Sequence, residues 1–407
     1  MPKQLPYLLK IHSINALISI VLIVNIFVWY SCATTILIDK VDKASFTFNE
    51  KLMVYIIGIV GAVLSILIGA CFASKFKTRK YFLFMWTLIG IVSSIFFITL
   101  EVTTLINISI LTFAVNISFG LGLPVSLACF AESTIEENRG RFAMITLLAM
   151  FFTAYALNSL MSESIIMNSS LLAFWRILGL LGVFISKNSV VPSVSANPSL
   201  TSILRERSFI LYMVPWTLFS MVNYLGWPIG ARMVGEDFVY FCASMGSLIA
   251  AIFSIIAGFA TDSIGRKRTL IIGFVIFGLG YGILGIYPSS TLAWYFYTFV
   301  DGIAWGIIFV IFWFTIWGDL AYKKRSEKYY ALGILPYSFS GFLRVTVGPF
   351  IANIISEYAI FSFAALFLFL SVIPLMYAPE TLPEKTLKER ELKSYIEKAK
   401  KIKEKFT

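Results

Sequence analysis

The chain has 407 residues, of which 58% are hydrophobic and only 14% are charged, and its mean hydropathy is +0.85. These few polar residues are not enough to cover the surface of a soluble protein. The composition therefore excludes an ordinary soluble protein and predicts a membrane protein. The net charge is +11, but the cations are spread over seven segments between apolar runs, which is not the pattern of a nucleic-acid interface.

Long apolar runs follow one another from about Ile11 to about Tyr377. A bilayer core about 30 Å thick needs roughly 20 helical residues for each crossing. In lipid each segment must satisfy its own backbone hydrogen bonds. The sequence therefore predicts an all-α membrane protein with twelve transmembrane helices. The predicted spans are residues 11–37, 52–74, 81–100, 104–130, 142–162, 169–186, 209–231, 238–260, 269–287, 291–318, 330–356 and 359–378.

The lysines and arginines indicate the orientation of these spans. All but six of the 33 fall on the N-terminal segment, on alternate loops or on the C-terminal tail. Because such residues collect on the cytoplasmic side, we expect a multi-pass protein of the cell membrane with both termini in the cytoplasm. The six others are Lys40, Lys43, Lys51, Arg176, Arg232 and Arg344.

A polar segment rich in Pro, Ser and Asn, residues 187–208, interrupts the apolar pattern. It indicates a cytoplasmic linker between an N-terminal six-helix bundle, residues 1–186, and a C-terminal six-helix bundle, residues 209–378. A charged cytoplasmic tail, residues 379–407, follows. Short basic loops recur after the second and fourth spans of each half. Two parallel halves predict a binding site at the midplane between them.

The loop after the eighth predicted span carries an acid, a turn and three cations. Its residues are Gly258, Asp262, Gly265, Arg266, Lys267 and Arg268. Gly258 allows two helices to pack closely, Gly265 suits a tight turn, and Asp262 can cap a neighbouring helix or pair with arginine.

The spacing of these residues closely resembles the signature loop of the major facilitator superfamily, which holds the cytoplasmic side closed in one conformation. The resemblance implies the same gating role for this loop; the alternative is static anchoring of two helices. The matching loop of the N-terminal half departs from the pattern. Ala73 or Ser74 stands there in place of the acid.

Three further segments resemble the sugar-porter and metabolite:proton symporter branch of that superfamily. They are Gly120-Leu-Gly122-Leu-Pro124 with Glu132 and Arg139-Gly140-Arg141 after it, Trp175-Arg176 at the start of the sixth span, and Pro379-Glu380-Thr381 after the twelfth. The match is incomplete, because Asn116 stands where the branch has a glycine. Glu132 and Arg139 become further gating-loop candidates.

This resemblance implies a proton-coupled transporter that moves a sugar or another small polar metabolite by alternating access. A drug or organic-ion exporter of the same superfamily is the alternative. The implied partners are the lipid bilayer, a small-molecule substrate and protons, and a monomer suffices for the mechanism.

Ionisable side chains are rare inside the predicted spans. Asp301 lies well inside the tenth span, and Arg344 lies at comparable depth in the eleventh. A charge at the bilayer centre is costly, so both are candidates for function. One interpretation is a structural ion pair within the C-terminal half. The other is that Asp301 accepts the coupling proton, while Arg344 modulates its pKa or holds an anionic group.

The tenth span is also the most aromatic. Helical spacing places Trp294, Tyr297, Asp301 and Trp305 on one face. An aromatic face beside one acid suits a polar, ring-shaped solute. An aromatic belt or a lipid-facing surface would have a similar composition.

The resemblance further implies that the first, fourth, seventh and tenth spans line the pathway. The polar candidates on them include Asn25, Asn116, Asn223 and Tyr224. A membrane-embedded enzyme and a sensor of the same fold are the rival classes. Against an enzyme, the four cysteines lack metal-ligand spacing, His12 is the only histidine, and no Gly-x-x-x-x-Gly-Lys loop occurs. We therefore expect neither an enzyme nor a bound metal or cofactor.

Overall fold

The structure is a computed structural model. It describes residues 14–73, 75–76, 79–100, 103–185 and 196–383, apart from the side chains of residues 223–225 and 227. The predicted linker up to residue 195, most of the tail and His12 lie outside the described residues. The rest consists of helices joined by short loops, together with one isolated bridge between Ala196 and Lys324.

Six helices precede the linker. They are α1 (Ile14–Lys43), α2 (Phe48–Ala73), α3 (Lys80–Thr99), α4 (Leu105–Ser133), α5 (Arg139–Ser159) and α6 (Ile165–Ile185), with a 3-10 turn at Glu136–Asn138. The start of α2 shows how local sequence fixes a boundary. Thr47 and Glu50 form a reciprocal capping box, in which the Thr47 amide donates to Glu50 at 2.7 Å.

Six more helices follow the linker. They are α7 (Arg207–Val234), α8 (Glu236–Ser263), α9 (Arg266–Ile286), α10 (Thr291–Leu320), α11 (Glu327–Thr346) and α12 (Glu357–Tyr377). Short helices lie at Leu200–Leu204 and Gly348–Ile354. Within α10, residues Val310–Thr315 form a π-helical segment, a feature that occurs frequently at functional sites.

The structure divides the predicted eleventh span into two pieces. Residues 330–356 were expected to form one helix, but α11 ends at Thr346 and a new helix begins at Gly348. Pro349 explains the break, because proline lacks the amide hydrogen that would continue the helical hydrogen bonds, whereas it is well tolerated in the first turn of a new helix.

Among the described residues, ten helices are long and apolar enough to cross a membrane, judged by length and composition. The two others are α7, in which the described side chains give an apolar stretch at Arg207–Val222, and α11. Both contain internal prolines, Pro215 and Pro228 in α7 and Pro336 in α11. The all-helical membrane architecture is confirmed, whereas the count of twelve crossings stays a prediction.

Helices from the two sides of the linker pack directly on one another. Helix α2 packs against α11, and α5 packs against α8. At the second crossing, a β-carbon added to Gly258 would lie 2.7 Å from the carbonyl oxygen of Gly140. Only glycines permit so close a backbone approach, and this crossing positions the loops described next.

Candidate functional site

One end of the molecule carries the loops α2–α3, α4–α5, α8–α9 and α10–α11, and we call this end the basic face. Six of the charged side chains that the structure describes there are buried and paired, namely Arg79, Arg139, Asp262, Arg266, Asp319 and Glu327. They form two groups, which we name the Asp319 cluster and the Glu327 cluster after the acids at their centres. Each cluster joins helices from before the linker to helices from after it.

The Asp319 cluster lies at the end of α10. The carboxylate of Asp319 accepts hydrogen bonds from Arg139 at the start of α5, from Arg266 Nε at 3.0 Å and from Thr381 Oγ1 at 3.0 Å. Arg266 also donates to the backbone oxygen of Glu136. Because these side chains are almost inaccessible to water, their charges are compensated mainly by one another.

Asp262, at the end of α8, caps a helix that belongs to the other half of the chain. Its two carboxylate oxygens accept the backbone N–H groups of Gly140 at 2.9 Å and Arg141 at 3.0 Å, at the first turn of α5. A carboxylate at a helix N-terminus satisfies free donors and matches the helix dipole. Asp262 also lies 3.4 Å from Arg266, so it links α5, α8 and α9.

Glu380, in the Pro379-Glu380-Thr381 segment, caps α9 in the same way. It accepts the backbone N–H groups of Arg266 at 2.9 Å and Lys267 at 3.1 Å. The preceding Gly265 has φ +111, a backbone conformation that residues with a side chain rarely adopt. The turn and the cap together fix the direction in which Arg266 enters the Asp319 cluster.

The Glu327 cluster occupies the matching place between α3, α4 and α11. Arg79 contacts Glu132 at 2.6 Å and Glu327 at 2.7 Å. Arg325 lies 3.4 Å from Glu327 and donates to the backbone oxygen of Ala73. The loop of the N-terminal half lacks an acid at Ala73, and here the carboxylate comes from Glu327 on a helix of the other half.

The structure thus brings together most of the predicted gating residues, which are Glu132, Arg139, Gly258, Asp262, Gly265 and Arg266, while Arg268 is exposed. Sequence reasoning missed Arg79, Asp319 and Glu327 as members of the clusters. The internal repeat carried a signal, because Arg79 and Arg266 open equivalent helices and Glu132 and Asp319 close equivalent ones.

Lys324, in the α10–α11 loop, binds the C-terminal part of the linker, which the structure describes from Ala196 onward. Its ammonium group donates to Glu206 at 2.8 Å and to the Tyr329 hydroxyl at 2.9 Å. Partial burial acts to lower the pKa of Lys324, but the hydrogen bonds to Glu206 and Tyr329 outweigh it and raise the pKa. The backbone of Arg325 also donates to Ala196 at 2.9 Å.

A cavity of about 280 Å³ lies among the helices on the side away from the basic face. Its α8 residues run from Val239 to Ala250, whereas Asp262 lies at the opposite end of that helix. Aromatic side chains dominate the lining. They are Phe27, Phe151, Trp294, Tyr297, Trp305, Phe309, Tyr337 and Phe361. Phe27 and Phe151 come from α1 and α5, and the others come from α10, α11 and α12.

Asp301 and Arg344 both line this cavity. The hydroxyl of Tyr297 donates to Asp301 at 3.3 Å and lies 3.1 Å from the hydroxyl of Tyr281. Gly246 leaves room beside the carboxylate, since an added β-carbon would lie 3.2 Å from Asp301 Oδ2. Within the described part of the chain, the salt bridges do not include a direct pair of Asp301 with Arg344.

Asn25, a predicted pathway residue, is buried away from the cavity lining. Its Oδ1 accepts a hydrogen bond from Arg176 at 2.9 Å, and its backbone oxygen accepts from Trp175 Nε1 at 2.9 Å. Trp175 and Arg176 lie in the middle of α6, not at its start as predicted, because α6 begins at Ile165. The buried guanidinium of Arg176 lies between the rings of Trp29 and Trp86.

The remaining polar candidates fall into two groups. Asn116 is also buried outside the cavity lining, where it accepts from the Tyr30 hydroxyl at 3.0 Å and donates to the backbone oxygen of Thr112 at 2.9 Å. Asn223 and Tyr224 belong to α7, but their side chains lie outside the described residues.

Replacing Asn25 by alanine should destabilise the protein without changing its affinity for solutes. The substitution removes the acceptor of a buried guanidinium, which costs about 1–3 kcal/mol. Thermal unfolding of the purified variant measures this loss. Asn158→Ala is the matched control, because Asn158 is exposed and bonds only to its own helix among the described contacts. A solute affinity that falls together with stability would show that Asn25 acts at the binding site.

Comparisons with known proteins agree with this architecture. The family model described as Major Facilitator Superfamily matches residues 206–405. No curated protein sequence matches the chain.

Among solved structures, the proton:xylose symporter XylE bound to 6-bromo-6-deoxy-D-glucose is 14% identical and superposes with a TM-score of 0.67, covering 90% of this chain and 96% of that one. The human organic anion transporter MFSD10 is 12% identical, with a TM-score of 0.67 and coverage of 89% and 99%. A variant of the E. coli fucose:proton symporter FucP is 11% identical, with a TM-score of 0.74 and coverage of 91% and 100%. At these identities the similarity shows the fold.

Proposed function

Because this chain belongs to the major facilitator superfamily, we propose that it is a secondary active transporter coupled to protons. It moves a small organic solute across the cell membrane by alternating access. The two six-helix bundles, residues 1–186 and 209–378, rock against each other around a central site. Both termini and the basic face are cytoplasmic, because lysine and arginine favour that side.

One observation carries the proposal: the cavity lies on one side of a closed, ion-paired face. The Asp319 and Glu327 clusters join the two halves at the basic face, and the cavity with its single acid lies toward the other end. Such an arrangement corresponds to a state in which the solute site is shut off from the cytoplasm. Exchange to the other state requires these cross-half ion pairs to separate.

Asp301 is the group we assign to proton coupling. It lies within the α10 span, in a cavity with many aromatic rings in its lining, with the Tyr297 hydroxyl as a hydrogen-bond donor. A carboxyl group in such surroundings is costly to leave charged and unpaired, so binding a proton or a cationic group neutralises it. This property allows solute binding and proton binding to depend on one another.

The fold neighbours include two sugar:proton symporters and an organic anion transporter, which supports a small organic solute. A drug or organic-ion exporter of the same superfamily is the second candidate. The apolar, aromatic cavity lining beside Asp301 favours it, since such a lining suits an apolar organic ion.

Substitution of Asp301 by asparagine tests the proposal. In proteoliposomes with an imposed pH gradient, we expect the native protein to accumulate its solute, found by screening sugars, organic acids and organic cations. Asp301→Asn should abolish this accumulation and the accompanying proton movement, because the proton acceptor is gone, while solute exchange without a gradient continues.

Asp237→Asn is the matched control, because Asp237 is an exposed acid on α8 outside the cavity lining. Unchanged proton movement in Asp301→Asn would remove Asp301 from the coupling step. If the native protein moved only lipophilic cations, and moved them outward in exchange for protons, it would be an exporter instead.

A further inference from the structure

We infer that the solute is a small aromatic monocarboxylate. Arg344 binds its carboxylate, the aromatic side chains of the cavity bind its ring, and a proton on Asp301 accompanies it. This inference rests on the proposed function and names a substrate class for the same cavity.

Several polar groups of the cavity already form hydrogen bonds within the protein and are not available to a sugar. The Thr298 hydroxyl donates to the backbone oxygen of Trp294 at 2.8 Å, and the Ser247 hydroxyl donates to that of Ala243 at 2.8 Å. The indole N–H of Trp294 donates to Pro288 at 2.8 Å. The described part of the lining contains neither asparagine nor glutamine. A sugar would exchange many water hydrogen bonds for few in return, and unpaired polar groups lose affinity.

The aromatic lining suits one flat ring. Trp305 and Phe309 pack on each other at 4.6 Å between ring centroids, and Trp294 packs edge to face on Phe361 at 5.7 Å, while all four rings also line the cavity, where they can contact a solute ring. Aromatic rings prefer such offset and edge-to-face contacts, which add stabilisation beyond the buried area. A volume of about 280 Å³ lies just below the usual range of ligand cavities, about 300–1,000 Å³. The solute is therefore a single-ring molecule.

The two ionisable side chains determine the charge of the solute. With Asp301 ionised, the charges of these two side chains sum to zero; with Asp301 protonated, they sum to one positive charge. A guanidinium group is well suited to bind a carboxylate through paired hydrogen bonds. The protonated cavity thus matches a monoanion, and a proton and a monoanion cross the membrane together without net charge.

A zwitterion such as an amino acid fits less well. Its ammonium group would pair with ionised Asp301 and its carboxylate with Arg344. That arrangement keeps Asp301 in its charged form, and the described lining offers no second carboxyl group to take the coupling proton. An organic cation would also meet the repulsion of Arg344.

A set of four probes with the same ring tests the class. They are phenylacetate, phenylacetamide, phenethylamine and phenylalanine, and the sugars xylose and fucose are measured beside them. We expect phenylacetate to raise the melting temperature of the full chain and to bind about tenfold more tightly than phenylacetamide, as a charged hydrogen bond predicts. Its binding should tighten as the pH falls, because the proton on Asp301 accompanies it.

Arg344→Gln should reduce the affinity for phenylacetate to that of phenylacetamide, and Arg344→Lys should retain part of the difference. The lysine variant keeps the test decisive if the glutamine variant does not fold. Arg232→Gln is the control, because Arg232 is a partly exposed cation at the end of α7 outside the cavity lining. In Asp301→Asn, phenylacetate should bind without dependence on pH.

Several outcomes overturn this inference. They are tighter binding of phenethylamine or a sugar, an unchanged phenylacetate affinity in folded Arg344→Gln, and no binding of any probe. Proton-driven accumulation of a solute from another chemical class would overturn the aromatic-monocarboxylate inference but would support the proposed function. If no solute in the wider screen moves protons, the proposed function itself fails, whatever the four probes show.

Discussion

Replacing Asp319 by asparagine is expected to open the basic face. The substitution leaves the guanidinium groups of Arg139 and Arg266 buried beside a neutral amide. Breaking a buried ion pair by removing one partner costs about 3–5 kcal/mol. If this cost falls mainly on the closed conformation, the ratio of closed to open molecules falls by about 100-fold or more. Solute transport should be almost abolished, because the protein cannot close this face efficiently.

Cys242, which lines the cavity, reports the opening. In a variant that keeps Cys242 as its only cysteine, a membrane-impermeant maleimide applied to the basic face should label the native protein slowly and Asp319→Asn rapidly. Asp237→Asn again serves as the control for an exposed acid. Equally slow labelling in both proteins, with Asp319→Asn folded, would mean that the Asp319 cluster anchors the helices without controlling access.

Replacing Gly258 by alanine should have an effect of comparable size through a different physical cause. An added β-carbon would lie 2.7 Å from the backbone oxygen of Gly140 and 2.8 Å from the side chain of Met144. The backbone oxygen of Gly140 cannot move away without shifting helix α5, and overpacking of this kind typically costs about 1–3 kcal/mol. The cost applies only where α5 and α8 are in contact, so the closed state should lose about tenfold to 100-fold in population.

Transport rates in proteoliposomes and the same Cys242 labelling measure this effect. Gly282→Ala is the matched control, because Gly282 lies within α9 and an added β-carbon there meets no atom within 4 Å. That control should be neutral or slightly stabilising, since alanine favours helix more than glycine does. Normal transport by Gly258→Ala would show that the helices do not need this approach distance.

The sequence predicted the fold well wherever a local pattern was sufficient. Apolar runs predicted the helices. The spacing from Gly258 to Arg266 predicted the three features found there: a close helix crossing at Gly258, a helix cap at Asp262 and a positive-φ turn at Gly265. Helical spacing also grouped Trp294, Tyr297, Asp301 and Trp305 on one face, and all four line one cavity. In each case the relevant residues are close in the chain.

Contacts between distant helices could not be predicted in the same way. Arg79 and Glu327 are 248 residues apart, and they meet only because α3 and α11 end at the same face. Asn25 resembled a pathway residue because it is polar and lies in the first span. In the structure its side chain accepts a hydrogen bond from Arg176, a partner that depends on how α1 and α6 pack.

The π-helical segment of α10 determines the angular phase between the two ends of that helix. Asp301, which faces the cavity, and Asp319, which faces Arg139 and Arg266, lie on opposite sides of Val310–Thr315. Because an α-helix turns by about 100° per residue, one residue removed from this segment would rotate the two acids relative to each other by about that angle. A shortened α10 could be a more regular helix, but it could not direct both carboxylates to their present partners. The π-helical segment therefore determines how Asp301 at the solute site and Asp319 at the ion-paired face are oriented relative to each other along α10.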